Sequence, residues 1–250
     1  MSAFEVAVFE NRYPSLAAPQ GAAEVVVYSD RHDGSFAQLA PARVRLLLDV
    51  WAHRTEELLA RPEVAYVMAF ENRGVEVGTT LHHPHGQIYA YPFLPPVAER
   101  KRAADARLGG CAVCALVERE LGDDGPRVIA AEADAVAFVP YAARWPYEVH
   151  VTLTAHRPQL SDCAPGQLDA LASALQRVTA GYDALFERPF PYVLAVHQDR
   201  HVHVELYPPL RTAEKLKYLA GSEQGAGTFA VDVLPEAAAE RLREAIARAT

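Results

Sequence analysis

Glu24-Val-Val-Val-Tyr28-Ser-Asp-Arg-His32 and Glu148-Val-His-Val-Thr-Leu-Thr-Ala-His156 share one layout. Each alternates like a strand with one buried face, opens on a glutamate and reaches a histidine eight positions later. Their surroundings repeat too. An aromatic–proline turn stands upstream, Arg12-Tyr13-Pro14 in one case and Arg144-Trp145-Pro146-Tyr147 in the other. An amphipathic helix follows, with Val44, Leu47, Leu48, Trp51 and Leu58 as one apolar stripe and Leu168, Leu171, Leu175, Val178, Tyr182 and Leu185 as the other. A β-rich run comes next, at 64–70 and 192–196, and each unit then arrives at an H-x-H, His83-Pro84-His85 and His201-Val202-His203. Matching order and spacing indicate a duplicated α+β unit, with too few copies for a solenoid. The expected fold is two similar halves packed against each other, each an antiparallel sheet with an amphipathic helix on one face. The N-terminal half spans 1–100 and the C-terminal half 101–250, with 95–110 reading as the connection. Strands are expected at 4–9, 24–29, 64–70, 87–91, 128–131, 136–140, 148–154, 192–197 and 202–207. A last helix is expected from Pro235, with Leu242 and Ile246 among its apolar positions.

The 250 residues are 50% hydrophobic and 22% charged, which is ordinary globular material. A formal net charge of -8 argues against a broad nucleic-acid surface. The opening residues have no basic and apolar signal pattern, and no run is long enough for a membrane helix. The expected compartment is the cytoplasm. Three cysteines, Cys111, Cys114 and Cys163, do not make a disulfide framework.

His83-Pro84-His85-Gly86-Gln87 is poor material for a core and good material for handling a phosphate. A histidine can attack phosphorus and carry the phosphoryl group covalently. Gly86 permits close backbone approach. The Gln87 amide can donate a hydrogen bond to a phosphoryl oxygen. Cys111-Ala-Val-Cys114 has the spacing of half a zinc site, of a redox pair or of two ordinary buried cysteines. The duplication adds His156 and His201, giving a closed Cys2His2 set suited to structural Zn2+. The first half has the corresponding His32 and His83 but no cysteine pair upstream, so these two form at most a vestigial metal site.

With these motifs in hand, the chain resembles the galactose-1-phosphate uridylyltransferases of the histidine-triad superfamily. The resemblance rests on Phe9-Glu-Asn-Arg-Tyr-Pro-Ser-Leu16, Phe70-Glu-Asn-Arg-Gly74, Gly78-Thr-Thr-Leu-His-His-Pro-His-Gly-Gln-Ile-Tyr-Ala90, Phe93-Leu-Pro-Pro96, His201-Val-His-Val-Glu-Leu-Tyr-Pro-Pro209 and Lys217-Tyr-Leu-Ala-Gly-Ser-Glu223. It implies a double displacement in which His85 attacks the α-phosphorus of UDP-glucose and passes the uridylyl group to galactose 1-phosphate. By the same resemblance, Gln87 supports the phosphate, Asn72 and Thr80 support the phosphate or the histidine, and His83 stands where relatives ligate a first metal. Asn11 flanks the uridine, and Lys217 and Glu223 belong to a segment that reaches the partner subunit's site in a homodimer. Hydrolytic relatives carry a third histidine where Gln87 stands, so an amide favours transfer over release to water. Glu205, the counterpart of Gln87, is an anion ill suited to face a phosphate, so His203 is not expected to be a second nucleophile.

Two departures carry expectations of their own. Relatives carry a preceding segment with a C-x-x-C pair and phosphate-binding arginines, and this chain begins directly at its first matching strand. Lys101 falls near a position where some relatives place a metal-binding glutamate, and Ser222 where some carry a substrate-contacting tyrosine. The competing readings are an adenylyl-transferring relative acting on ADP-sugars or dinucleotides, and a catalytically impaired zinc-stabilised binding module.

Overall fold

The computed structural model describes residues 4–79, 81–122 and 125–249. Thr80 lies outside the described residues. Among the described residues, nine strands form one sheet: β1 (Ala7–Glu10), β2 (Ala22–Val27), β3 (Tyr66–Arg73), β4 (His85–Tyr91), β5 (Val128–Ala131), β6 (Ala135–Phe138), β7 (Val149–Leu153), β8 (Tyr192–His197) and β9 (His203–Tyr207). Their spatial order is β1-β2-β4-β3-β8-β9-β7-β6-β5. Every described pairing is antiparallel. The order β1-β2-β4-β3 in one half reappears as β6-β7-β9-β8 in the other, with β5 added at the edge. β3 and β8 hold equivalent places and pair across the midline, Ala69 opposite Val196 and Arg73 opposite Tyr192. The two halves therefore do not each keep a separate sheet. They fuse edge to edge, which satisfies a strand edge that each half would otherwise expose.

The long helices start where proline suits a first-turn position. These are α1 (Pro41–Leu59) and α4 (Pro165–Leu185), joined by α6 (Pro235–Ala249). The expected stripes of α1 and α4 are buried along their whole length against one face of the sheet. α6 crosses α4 where Gly181 removes the side chain that would strike Ile246. The connection at 95–110 is itself mostly helical, as α2 (Pro96–Leu108), bounded by Pro96 and by Gly109 in a left-handed conformation at φ 66. α3 (Ala112–Leu121) follows at once, capped by Cys111. Its Val113, Leu116 and Val117 pack on Val136 and Phe138, while Ala135 and Ala137 of the same strand face the main core. Thus β6 is buried on both faces, as the two-residue alternation of a strand requires when helices cover both sides. The short α5 (Gly221–Ala226) sits in an exposed arm after β9.

The glutamate-to-histidine repeat is not a ladder equivalence. Val25 stands opposite Gln87 in the first half, and His150 stands opposite Glu205 in the second. Gln87 and Glu205 are counterparts, so the β2 and β7 ladders are out of step with the glutamate repeat by one residue. A one-residue slip sends side chains to opposite faces. Glu24 accordingly turns toward α1 and pairs with Arg54, whereas Glu148 turns to the other face beside His150.

Candidate active site and candidate metal centre

β4 begins at His85, directly after the turn that carries His83 and Pro84. The loop is tied down by Tyr28, whose backbone N–H donates to the Pro84 carbonyl at 3.1 Å. Imidazole orientation is fixed next. His85 Nδ1 lies 2.7 Å from the His83 carbonyl. A carbonyl only accepts, so Nδ1 carries the proton and Nε2 of the neutral ring keeps its lone pair. Asn72 on β3 and His85 on β4 each lie two residues beyond the paired Phe70 and Gln87, on the same face. An open cleft of about 670 Å3 is lined by His32, Asn72, Arg73, His83, His85 and Arg188, among others.

Sequence reasoning did not single out Arg73 or Arg188. Arg73 makes two bonds to Asp183, at 2.8 and 2.9 Å, clamping β3 to α4. Arg188 donates to Glu76 at 2.8 Å. Both cleft arginines are thus matched to carboxylates. Arg73 was visible within the Phe70-Glu-Asn-Arg-Gly74 motif, but its partner, 110 residues away, was not. Gln87 and Asn11 lie outside the cleft walls, on the neighbouring sheet surface, where Asn11 Nδ2 comes within 3.5 Å of Gln87 Oε1. Below the cleft floor sits Glu71, fully buried. Burial pushes its carboxyl up to about 7, against the opposing pull of Arg73 and of the hydrogen bond from Tyr192.

Lys217 and Glu223 do not present free charges. Lys217 Nζ donates to Glu223 Oε1 at 2.8 Å and to the Ala230 carbonyl at 2.6 Å. Glu223 also accepts from the Ala220 and Ala230 N–H groups. Its carboxyl is held down to about 2, first by Lys217 and then by those backbone donors. The pair braces the arm around α5.

Cys111, Cys114, His156 and His201 converge, with their ligand atoms all within 4.8 Å of one another. Cys114 Sγ lies 3.4 Å from His156 Nδ1 and 3.3 Å from His201 Nδ1, and Cys111 Sγ lies 3.5 Å from His201 Nδ1. Sulfur and nitrogen ligands at zinc bond lengths in a tetrahedron stand about 3.5 Å apart. The other ring nitrogen of His201 gives its proton to the Leu153 carbonyl at 3.2 Å, which leaves Nδ1 free to ligate. Burial and the neighbouring Cys111 sulfur push the Cys114 thiol up to about 11, so that sulfur needs a bound cation to become a thiolate at neutral pH. The residues present therefore fit a structural zinc. In the first half, His32 and His83 approach through their Nδ1 atoms at 3.0 Å, while His83 Nε2 faces the Ser29 carbonyl at 2.7 Å. Their rings meet edge-on at 4.8 Å, as those of His156 and His201 do at 5.1 Å. Among the described residues, no third ligand joins that first pair.

His203 differs from His85 in its surroundings. It is buried, and burial followed by the Lys101 charge lowers its imidazole to about 3. Lys101 Nζ lies 2.6 Å from His203 Nε2 and 2.7 Å from Glu205 Oε1. The second H-x-H thus has its nucleophilic nitrogen covered.

Residues 5–95 match the family described as galactose-1-phosphate uridyl transferase, N-terminal domain, and residues 113–249 match the corresponding C-terminal domain. A galactose-1-phosphate uridylyltransferase of Streptomyces lividans is 40% identical over 97% of this chain and 74% of its own length. One from Thermotoga maritima is 36% identical over 96% of this chain and 85% of its own length. A solved structure described as a uridylyltransferase superposes with a TM-score of 0.90 at 29% identity, covering 98% of this chain and 87% of that one. Among the described residues, no helix is long and apolar enough to cross a membrane. The chain belongs to the galactose-1-phosphate uridylyltransferase family.

Proposed function

We propose that the chain is a UDP-glucose–hexose-1-phosphate uridylyltransferase working by double displacement through His85. The observation that carries this reading is the tautomer. The 2.7 Å bond from His85 Nδ1 to the His83 carbonyl leaves Nε2 as a nucleophile beside an open cleft. Nε2 forms a bond to the α-phosphorus of UDP-glucose as the bond to the glucose 1-phosphate oxygen breaks. The uridylyl-imidazolium that results carries positive charge, and the His83 carbonyl accepting from Nδ1 offsets it. A phosphate oxygen of galactose 1-phosphate then attacks the same phosphorus, and His85 departs neutral. Gln87 and Asn72 are proposed to donate to the non-bridging oxygens, where charge develops in both steps. An amide neither protonates a leaving group nor takes a proton from water, so hydrolysis gains no general acid or base at this position.

The two halves divide the work, with 1–100 carrying the reactive histidine and 101–250 a structural zinc held by Cys111, Cys114, His156 and His201. The ion would fix α3 to the β7 and β9 ends of the sheet and takes no part in the transfer. A homodimer in the cytoplasm completes the reading, and three cysteines outside any disulfide suit a reducing compartment.

Incubation with UDP-glucose followed by intact mass measurement tests it. A uridylyl adduct on wild type, absent in His85→Ala, is expected. No adduct at saturating UDP-glucose, or an adenylyl adduct formed in preference from ADP-glucose, would overturn it.

A further inference from the structure

His203 is the counterpart of His85 and keeps the same tautomer, its Nδ1 lying 2.7 Å from the His201 carbonyl. Its Nε2 lone pair faces a convergence of groups with no parallel among the described residues of the first half. Glu205, buried, brings Oε1 within 3.4 Å of it. His197 is 6% exposed, with Nδ1 3.3 Å from the Tyr66 hydroxyl. Its Nε2 has no hydrogen-bond partner and lies 3.5 Å from Glu205 Oε2. The rings of His197 and His203 stack at 4.9 Å, and their ligand atoms lie with Glu205 within 4.8 Å of one another. Two imidazole nitrogens and a carboxylate are a ligand set for a divalent cation.

A cation is already present in that set. Lys101 reaches down from α2, 2.6 Å from His203 Nε2 and 2.7 Å from Glu205 Oε1. An ammonium carries donors only, so it meets both atoms as a small positive ion would. We propose that the Lys101 ammonium is the resident cation of this centre, so that the chain takes one divalent ion, at Cys111, Cys114, His156 and His201, and none at His197, His203 and Glu205 until Lys101 is removed. Room and access support the second clause. A cavity of about 190 Å3 borders the cluster, and a hollow of about 270 Å3, lined by Arg100, Lys101, Arg144 and Glu205, also reaches it. Shortening the lysine would join water to the ligands. Glu205 would then keep only Arg144, at 2.9 Å, as a full positive partner. Removing one partner of a buried pair leaves an uncompensated charge, which a bound cation would neutralise. The proposal is independent of uridylyl transfer at His85.

The test uses the full-length chain, stripped of metal and titrated with Co2+. Stoichiometry gives the number of ions, and the thiolate-to-cobalt charge-transfer band marks the cysteine site. Wild type and Lys101→Arg are expected to take one ion, with the band. Lys101→Ala and Lys101→Glu are expected to take two, the second adding no thiolate intensity. If Lys101→Ala is unfolded when stripped, Co2+ or ethylammonium is expected to restore it. A second, thiolate-free ion in wild type would overturn the proposal. So would folded Lys101→Ala and Lys101→Glu proteins that take no more ions than wild type, or instability relieved by neither cation. Loss of the thiolate band alone would count against the cysteine site and leave the comparison of ion numbers to decide this proposal.

Discussion

The Tyr28 hydroxyl occupies the space into which a β-carbon on residue 86 would project, and the Phe70 carbonyl, 2.8 Å from that same point, closes the other side. Gly86 lies between His85, the proposed nucleophile, and Gln87, the proposed phosphate ligand, so any displacement there is passed to both. Overpacking a site of this kind costs about 1–3 kcal/mol. A shift of the nucleophile by about 1 Å costs on the order of a hundredfold in rate. Gly86→Ala is therefore expected to lower transfer roughly a hundredfold, with a modest fall in Tm. Tyr28→Phe in the same chain should recover part of the loss, because it removes one of the two obstructing atoms. Wild-type turnover in Gly86→Ala would show that the loop can yield.

Cys114→Ala is expected to act on stability and to leave the chemistry at His85 unaltered. Cys114 caps nothing in the cleft; its sulfur faces His156 and His201. A structural zinc contributes folding free energy outright. Removing one thiolate should release the ion and lower Tm by about 10 °C or more. Turnover per folded molecule should stay within about twofold of wild type. Equal zinc content and equal Tm in the two proteins would remove the structural role.

Much of this was legible before the fold was known. All nine strands were, because alternation survives in short runs, and so were the stripes of α1 and α4, every named position of which is buried. α2 and α3 were not. α2 is rich in Arg and Ala and has a weak apolar face, so its bounding prolines and glycines read as loop. The pairing step between Val25–Gln87 and His150–Glu205 was hidden as well, since sequence spacing does not report where a ladder begins. The convergence of Cys111, Cys114, His156 and His201 was readable from residue type and spacing. The Lys101–His203 contact, across 102 positions, left no local trace.

Glu71 should make stability fall as pH rises. Burial lifts its carboxyl from 4.5 to about 7, so between those values the folded chain holds a proton that the unfolded chain has released. Stability is then greatest below the unfolded value and is lost up to about pH 7, beyond which the slope vanishes. The shift corresponds to something on the order of 3 kcal/mol. Glu71→Gln keeps an acceptor for the Tyr192 hydroxyl, 3.3 Å away in wild type, without a charge to bury. Denaturation midpoints of the two proteins should diverge in favour of Glu71→Gln between pH 5 and 7 (roughly the window set by the two values). Parallel curves across that range would mean the carboxyl ionises as easily in the fold as out of it.

Gln87→His tests whether the amide decides the fate of the uridylyl group. Gln87 stands two residues beyond His85 on β4, on the same face, with Asn11 Nδ2 at 3.5 Å. An imidazole there can shuttle protons, and a positioned general acid or base accelerates by about 10²–10⁴. Water needs that help more than a sugar phosphate does, because the attacking phosphate oxygen is already ionised. The substitution is expected to raise UMP release from UDP-glucose without acceptor by at least about tenfold, and to lower transfer to galactose 1-phosphate because the proposed N–H donor to the phosphate changes position. The ratio of UMP to UDP-galactose, measured with both substrates present, reads the partition directly. An unchanged ratio would place the choice of acceptor in residues other than Gln87.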